Sequence, residues 1–148
     1  MASAISLEYF NSKSNPVTVY RADLSTSGDT LDIPIGDITL QVYWYNATQV
    51  NYQLIPNPNF NTTIDVYKYS FWGTGSTQCN TWDSYVLSSN LILDDGSYSN
   101  SNEVWNCVIR QRTQSGLYST YSIKGFVSGN GARATIEVTQ IEVDVSYD

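Results

Sequence analysis

The stretch Asp37-Ile38-Thr39-Leu40-Gln41-Val42-Tyr43-Trp44-Tyr45 decides the fold class. Ile38, Leu40, Val42 and Trp44 share one parity, and Thr39, Gln41, Tyr43 and Tyr45 share the other. Successive side chains of an extended strand point to opposite faces, so this register predicts a strand with one face on a core and a polar, aromatic face away from it. Ile64 to Phe71 repeats the theme, with Ile64 and Val66 opposed to Tyr67, Tyr69 and Phe71. Further strands are expected over Ile5 to Phe10, Val17 to Arg21, Thr48 to Ile55, Tyr85 to Leu93, Glu103 to Thr113, Leu117 to Val127 and Ala132 to Tyr147. Between them stand Asn15-Pro16, Pro56-Asn57-Pro58-Asn59, Gly129-Asn130-Gly131 and Asp95-Gly96. The last pair tolerates positive φ at both central positions and so suits a tight hairpin.

Alternating strands at this spacing, without helical crossovers, imply antiparallel sheets. The expectation is an all-β, jelly-roll-like antiparallel β-sandwich in one domain spanning residues 1–148. The last segment carries a local irregularity. Ala134, Ile136 and Val138 share one parity, but Ile141, Val143, Val145 and Tyr147 share the other. A strand changes its apolar side without burying Glu142 or Asp144 only through a bulge or kink, which is expected near Thr139-Gln140.

Hydrophobic residues make up 41% of the 148-residue chain and charged residues only 14%, which describes a globular protein rich in uncharged polar groups. Seven scattered basic residues against fourteen acidic ones do not match a phosphate backbone, so no nucleic-acid partner is expected. The apolar runs are too short to cross a membrane, and no membrane insertion is expected. The chain has no His, which removes the commonest general base and zinc ligand; the acids define no catalytic pair. Gly73-Thr74-Gly75 and Gly129-Asn130-Gly131 lack the third glycine and the helix of a phosphate cradle. The expectation is a non-enzyme without a cofactor.

Cys79 and Cys107 stand either bridged, closing a loop worth about 3.5 kcal/mol in the chain-entropy account, or as two free thiols. The parity of Trp105, Cys107 and Ile109 points Cys107 inward, whereas Cys79 falls in a polar, glycine-rich stretch read as a loop. Asp94, Asp95, Asn100, Asn102 and Glu103 form the densest group of oxygen donors. Calcium takes such ligands, but the spacing is that of a solvated hairpin tip, and no metal is assigned.

Two features point to recognition. The stretch from Phe71 to Asp83 sets Trp72 and Trp82 among Gly, Ser and Thr. A flat indole stacks on the C–H face of a sugar while Asn80 and Asp83 take its hydroxyls, so Trp72, Asn80, Trp82 and Asp83 form the candidate carbohydrate site. The competing expectation is that both rings plug the end of the sandwich. Secondly, Tyr43, Tyr45, Tyr67 and Tyr69 all fall on the non-core parity and are expected to form an aromatic plate at an oligomer interface.

The ending from Ile123-Lys124-Gly125 to Tyr147 resembles the last two strands of trimeric tumour-necrosis-factor-like and C1q-like jelly rolls, over under a fifth of the chain. That resemblance implies assembly, with sugars bound between subunits in some members. The reading that results is a lectin-like, carbohydrate-binding, non-enzymatic sandwich that recognises glycans as a homo-oligomer at an extracellular or particle surface. The N-terminal residues lack the basic start and apolar run of a signal peptide, which fits an intracellular or a mature chain. The alternative function is a structural or receptor-binding subunit of a virion, phage fibre or extracellular filament.

Overall fold

In the computed structural model, which describes residues 17–47, 49–72, 77–94, 102–128 and 133–147, ten strands run in chain order. They are β1 (Val17–Asp23), β2 (Thr30–Ile35), β3 (Ile38–Asn46), β4 (Gln49–Ile55), β5 (Thr62–Trp72), β6 (Thr77–Leu87), β7 (Leu91–Asp94), β8 (Glu103–Arg112), β9 (Tyr118–Ser128) and β10 (Arg133–Val145). All pairings are antiparallel. They form a six-stranded sheet ordered β1-β10-β9-β8-β5-β6 and a four-stranded sheet ordered β2-β3-β4-β7.

Alternation sorts the side chains as the sequence implies. Ile38, Leu40 and Val42 of β3 meet Ile64 and Val66 of β5, Trp105, Cys107 and Ile109 of β8, and Ile136 of β10 in one core between the sheets. Burying one apolar face of each sheet against the other is what makes the pair a sandwich. The turn between β2 and β3 is pinned to this core by a side chain. Gln111 of β8 is fully buried; its Nε2 donates to the Ile35 carbonyl at 2.7 Å, and its Oε1 accepts the Asp37 N–H at 2.9 Å. The amide thereby satisfies two backbone groups that a tight turn leaves open.

Several expectations are corrected here. Thr30–Ile35 is a strand, and Thr77–Asp83, where a loop was expected, begins a strand that runs to Leu87. The run Tyr85 to Leu93 is divided at 88–90, its two halves lying in different sheets. The bulge expected in the last strand is present: the register of β10 on β9 slips between Gln140 and Glu142, and again between Glu142 and Val145, with Asp144 at φ 49°. Its consequence differs, because Ile141, Val143 and Tyr147 remain exposed. The shift instead places Glu142 beside Thr120 and Arg110 on the outer face. The cysteines are not bridged. Cys79 is exposed on the outer parity of β6 and Cys107 is buried on the inner parity of β8, so the sheet itself separates them. The expected strand Ile5 to Phe10 and the hairpin turn Asp95-Gly96 lie outside the described residues.

Candidate functional site

β6 is an edge strand of the six-stranded sheet and carries three of the four residues expected to bind sugar. Its alternation divides them. Gln78, Asn80 and Trp82 are half-buried on the inner parity, while Cys79, Thr81 and Asp83 are exposed on the outer one. Together with Ile92 and Leu93 of β7, the inner set lines a groove of about 340 Å³ along one open side of the sandwich. Asn80 and Trp82 are therefore brought together, and Asp83 is not. The backbone of Trp72 pairs with Glu103, and its side chain lies outside the described residues.

The groove has a polar floor. Lys68 of β5 is fully buried, and its Nζ donates to Gln78 Oε1 at 2.8 Å. Asn80 Oδ1 is buried without a hydrogen bond among the described residues, an unsatisfied acceptor beneath the groove surface rather than one open to solvent. Gln78 was absent from the sequence reading. It follows at once from Asn80 and Trp82 by the period of two, had the stretch been read as a strand.

Asp83 belongs to a second concavity, of about 250 Å³, on the outer face of the six-stranded sheet, with Asp65, Tyr67, Thr81, Arg110 and Thr120 among its lining. It owes its shape to a bulge. The pairing of β5 with β6 slips between Ile64 and Val66, Ser84 takes a left-handed φ of 48°, and its N–H donates to Asp65 Oδ1 at 2.7 Å. Bulges bend an edge strand and re-aim its side chains in this way. Beside it Arg110 donates to Thr120 Oγ1 and Glu142 Oε1, each at 2.9 Å, and Glu142 also accepts from Thr120 and Tyr147. Burial raises the Glu142 pKa, but these hydrogen bonds outweigh it and hold the carboxyl below its ordinary value. Tyr67 titrates above the usual phenol range because its hydroxyl is hydrogen-bonded to the neighbouring Cys79 thiol.

The four tyrosines do not form one plate. Tyr67 and Tyr69 lie on the outer face of the six-stranded sheet, and Tyr43 and Tyr45 on the outer face of the four-stranded sheet across the sandwich. Of the oxygen donors near Asp94, Glu103 is buried on the inner face. Asp95 and Asn100 lie outside the described residues, as does the Asp94 side chain.

Fold and grooves define a two-sheet antiparallel β-sandwich with an aromatic and amide cleft at one edge. Compared with known proteins, the chain matches no family model, no curated protein and no solved structure.

Proposed function

We propose that the chain is a non-catalytic, glycan-binding β-sandwich module that acts as an oligomer at an extracellular, cell or particle surface. One observation carries this: a half-buried indole, Trp82, and the amide side chains of Gln78 and Asn80 line the same edge groove. A pyranose laid on the indole packs its C–H face against the ring, and the amide side chains that line the groove beside Trp82 offer hydrogen bonds to its hydroxyls. A shallow groove of this kind binds weakly, so several copies raise the effective affinity.

Titration of a sugar panel into the full chain tests the reading. Trp82→Ala and the milder Asn80→Ser are expected to weaken binding about tenfold or more, the loss of a stacking platform and of a hydrogen bond. Asp83→Ala, on the opposite face, is expected to leave it unchanged. Binding that survives both groove substitutions removes the groove from the site.

The second reading, a structural or receptor-binding subunit of a virion, phage fibre or filament, is favoured by the row of exposed apolar side chains Phe71, Val104 and Phe126 across the six-stranded sheet. Open-ended growth of mass with concentration supports it over the glycan module.

A further inference from the structure

The basic groups of this acidic chain are gathered on one surface. Of its seven Lys and Arg residues, Arg21, Arg110, Arg112, Lys124 and Arg133 project from the outer face of the six-stranded sheet; Lys68 is buried and Lys13 lies outside the described residues. Five acids share that face: Asp23, Asp65, Asp83, Glu137 and Glu142. Five positive and five negative charges cancel there, although the whole chain carries −7. The register also places opposite signs side by side. Lys124 stands across from Glu137, Arg133 from Asp23, and Arg110 from Asp65, while Arg110 Nη2 lies 2.9 Å from Glu142 Oε1.

An apolar band crosses the same face. Phe71, Val104 and Phe126 occupy one cross-strand row and are 43%, 43% and 45% exposed; Tyr67 and Val108 form a second apolar pair four residues along, beyond the row of Tyr69, Asn106 and Lys124. The outer face of the four-stranded sheet keeps its exposed Tyr45 and Ile92 apart, on β3 and β7, with polar side chains between its strands. There Gln53 Nε2 donates to Gln41 Oε1 at 2.7 Å, and Gln41 Nε2 donates to Asp32 Oδ1 at 2.8 Å, a polar ladder across three strands. Copies of a chain with net charge −7 repel through most of their surface. The neutral face is where that repulsion vanishes and where desolvation of Phe and Val is gained.

We propose that the outer face of the six-stranded sheet docks on the same face of a second copy, giving a closed two-fold dimer. A two-fold contact needs a self-complementary patch, and a face with its charges already paired by register and an apolar row between them meets that need. The area suffices: six strands about 4.8 Å apart over four residue rows cover roughly 650 Å² per copy, about 1,300 Å² in the pair, within the range of specific interfaces. Gln78, Asn80 and Trp82 point to the other side of β6, so the edge groove stays open in the dimer. The inference rests on the oligomeric part of the proposed function and not on glycan binding, so loss of the dimer and loss of glycan binding are read separately.

Sedimentation velocity of the full chain over a concentration series is the test. The expected result is a shift from one to two chain masses, with no larger species. Phe126→Glu and Val104→Glu, both at exposed positions, are expected to raise the dimer dissociation constant about tenfold or more by burying charge in the apolar row, with unchanged circular dichroism. Tyr45→Glu, on the four-stranded sheet, is expected to leave it unaltered. Alkylation of the exposed Cys79 is expected to slow as wild-type concentration rises, and to be concentration-independent in Phe126→Glu. A monomer at every concentration, which assigns the face to a different partner or to solvent, overturns the proposal. So does association that ignores Phe126→Glu and responds to Tyr45→Glu, or a ladder of masses without end.

Discussion

Tyr52 of β4 stacks on Trp105 of β8 with ring centroids 4.3 Å apart and planes 4° from parallel. One ring comes from each sheet and both are buried, so this contact joins the two layers in the middle of the core. Trp105 is the largest fully buried side chain of the molecule's described part. Trp105→Ala is expected to cost about 3–5 kcal/mol of unfolding free energy, read as a fall in the urea midpoint. A loss below about 1 kcal/mol contradicts a core organised around this pair.

The β2–β3 turn provides a second test. Gly36 has φ +59°, and a Cβ placed there meets Gln111 Nε2 at 2.5 Å and the Tyr121 hydroxyl at 2.8 Å. Gln111 cannot swing away without losing its bonds to Ile35 and Asp37. Gly36→Ala is therefore expected to destabilise by about 1–3 kcal/mol, the sum of left-handed strain and displaced hydrogen bonds. Equal thermal midpoints for variant and parent exclude this packing.

Thiol titration separates the two cysteines. Cys79 is expected to react in the native protein, and Cys107 only after unfolding, because burial raises its pKa and removes access. One equivalent modified natively and two in denaturant is the expected count for a chain with two Cys. Two native equivalents place Cys107 outside the core.

Acid stability follows from Glu142. Its folded pKa lies below the ordinary 4.5, so the stability it contributes is present above that value and is lost as pH falls through the folded pKa. Glu142→Gln is expected to be less stable than the parent at neutral pH, with the difference shrinking on acidification. A difference that stays constant from neutral pH to below the carboxylate range assigns its cause to packing rather than charge.

The architecture was largely legible. Ile38, Leu40 and Val42 turned inward as their parity implies, whereas Trp44 is half-buried and outside the core, and the irregularity of the last strand appeared where the apolar parity changes. The errors have a common cause. Thr77–Leu87 is Ser-, Thr- and Asn-rich with little apolar alternation, because an edge strand lining a groove buries only half of one face. Asp83 is near Asn80 and Trp82 in the chain, but adjacent residues of a strand face opposite ways. The four tyrosines share a parity, yet parity does not say in which sheet a strand lies.

What the order of residues determined by itself is most of the strands, β2 and the first part of β6 excepted, and which side of each meets the core, since both follow from a period of two along the backbone. Which strands pair was decided only in three dimensions. That β8 joins β5, that β10 lies between β1 and β9, and that Tyr52 finds Trp105 depend on contacts between segments far apart in the chain. The reason is physical: local alternation sets the cost of exposing a face, but any second apolar face of matching twist covers it, and only the packed whole selects among them. The edge groove and the charge-balanced sheet surface are products of that selection.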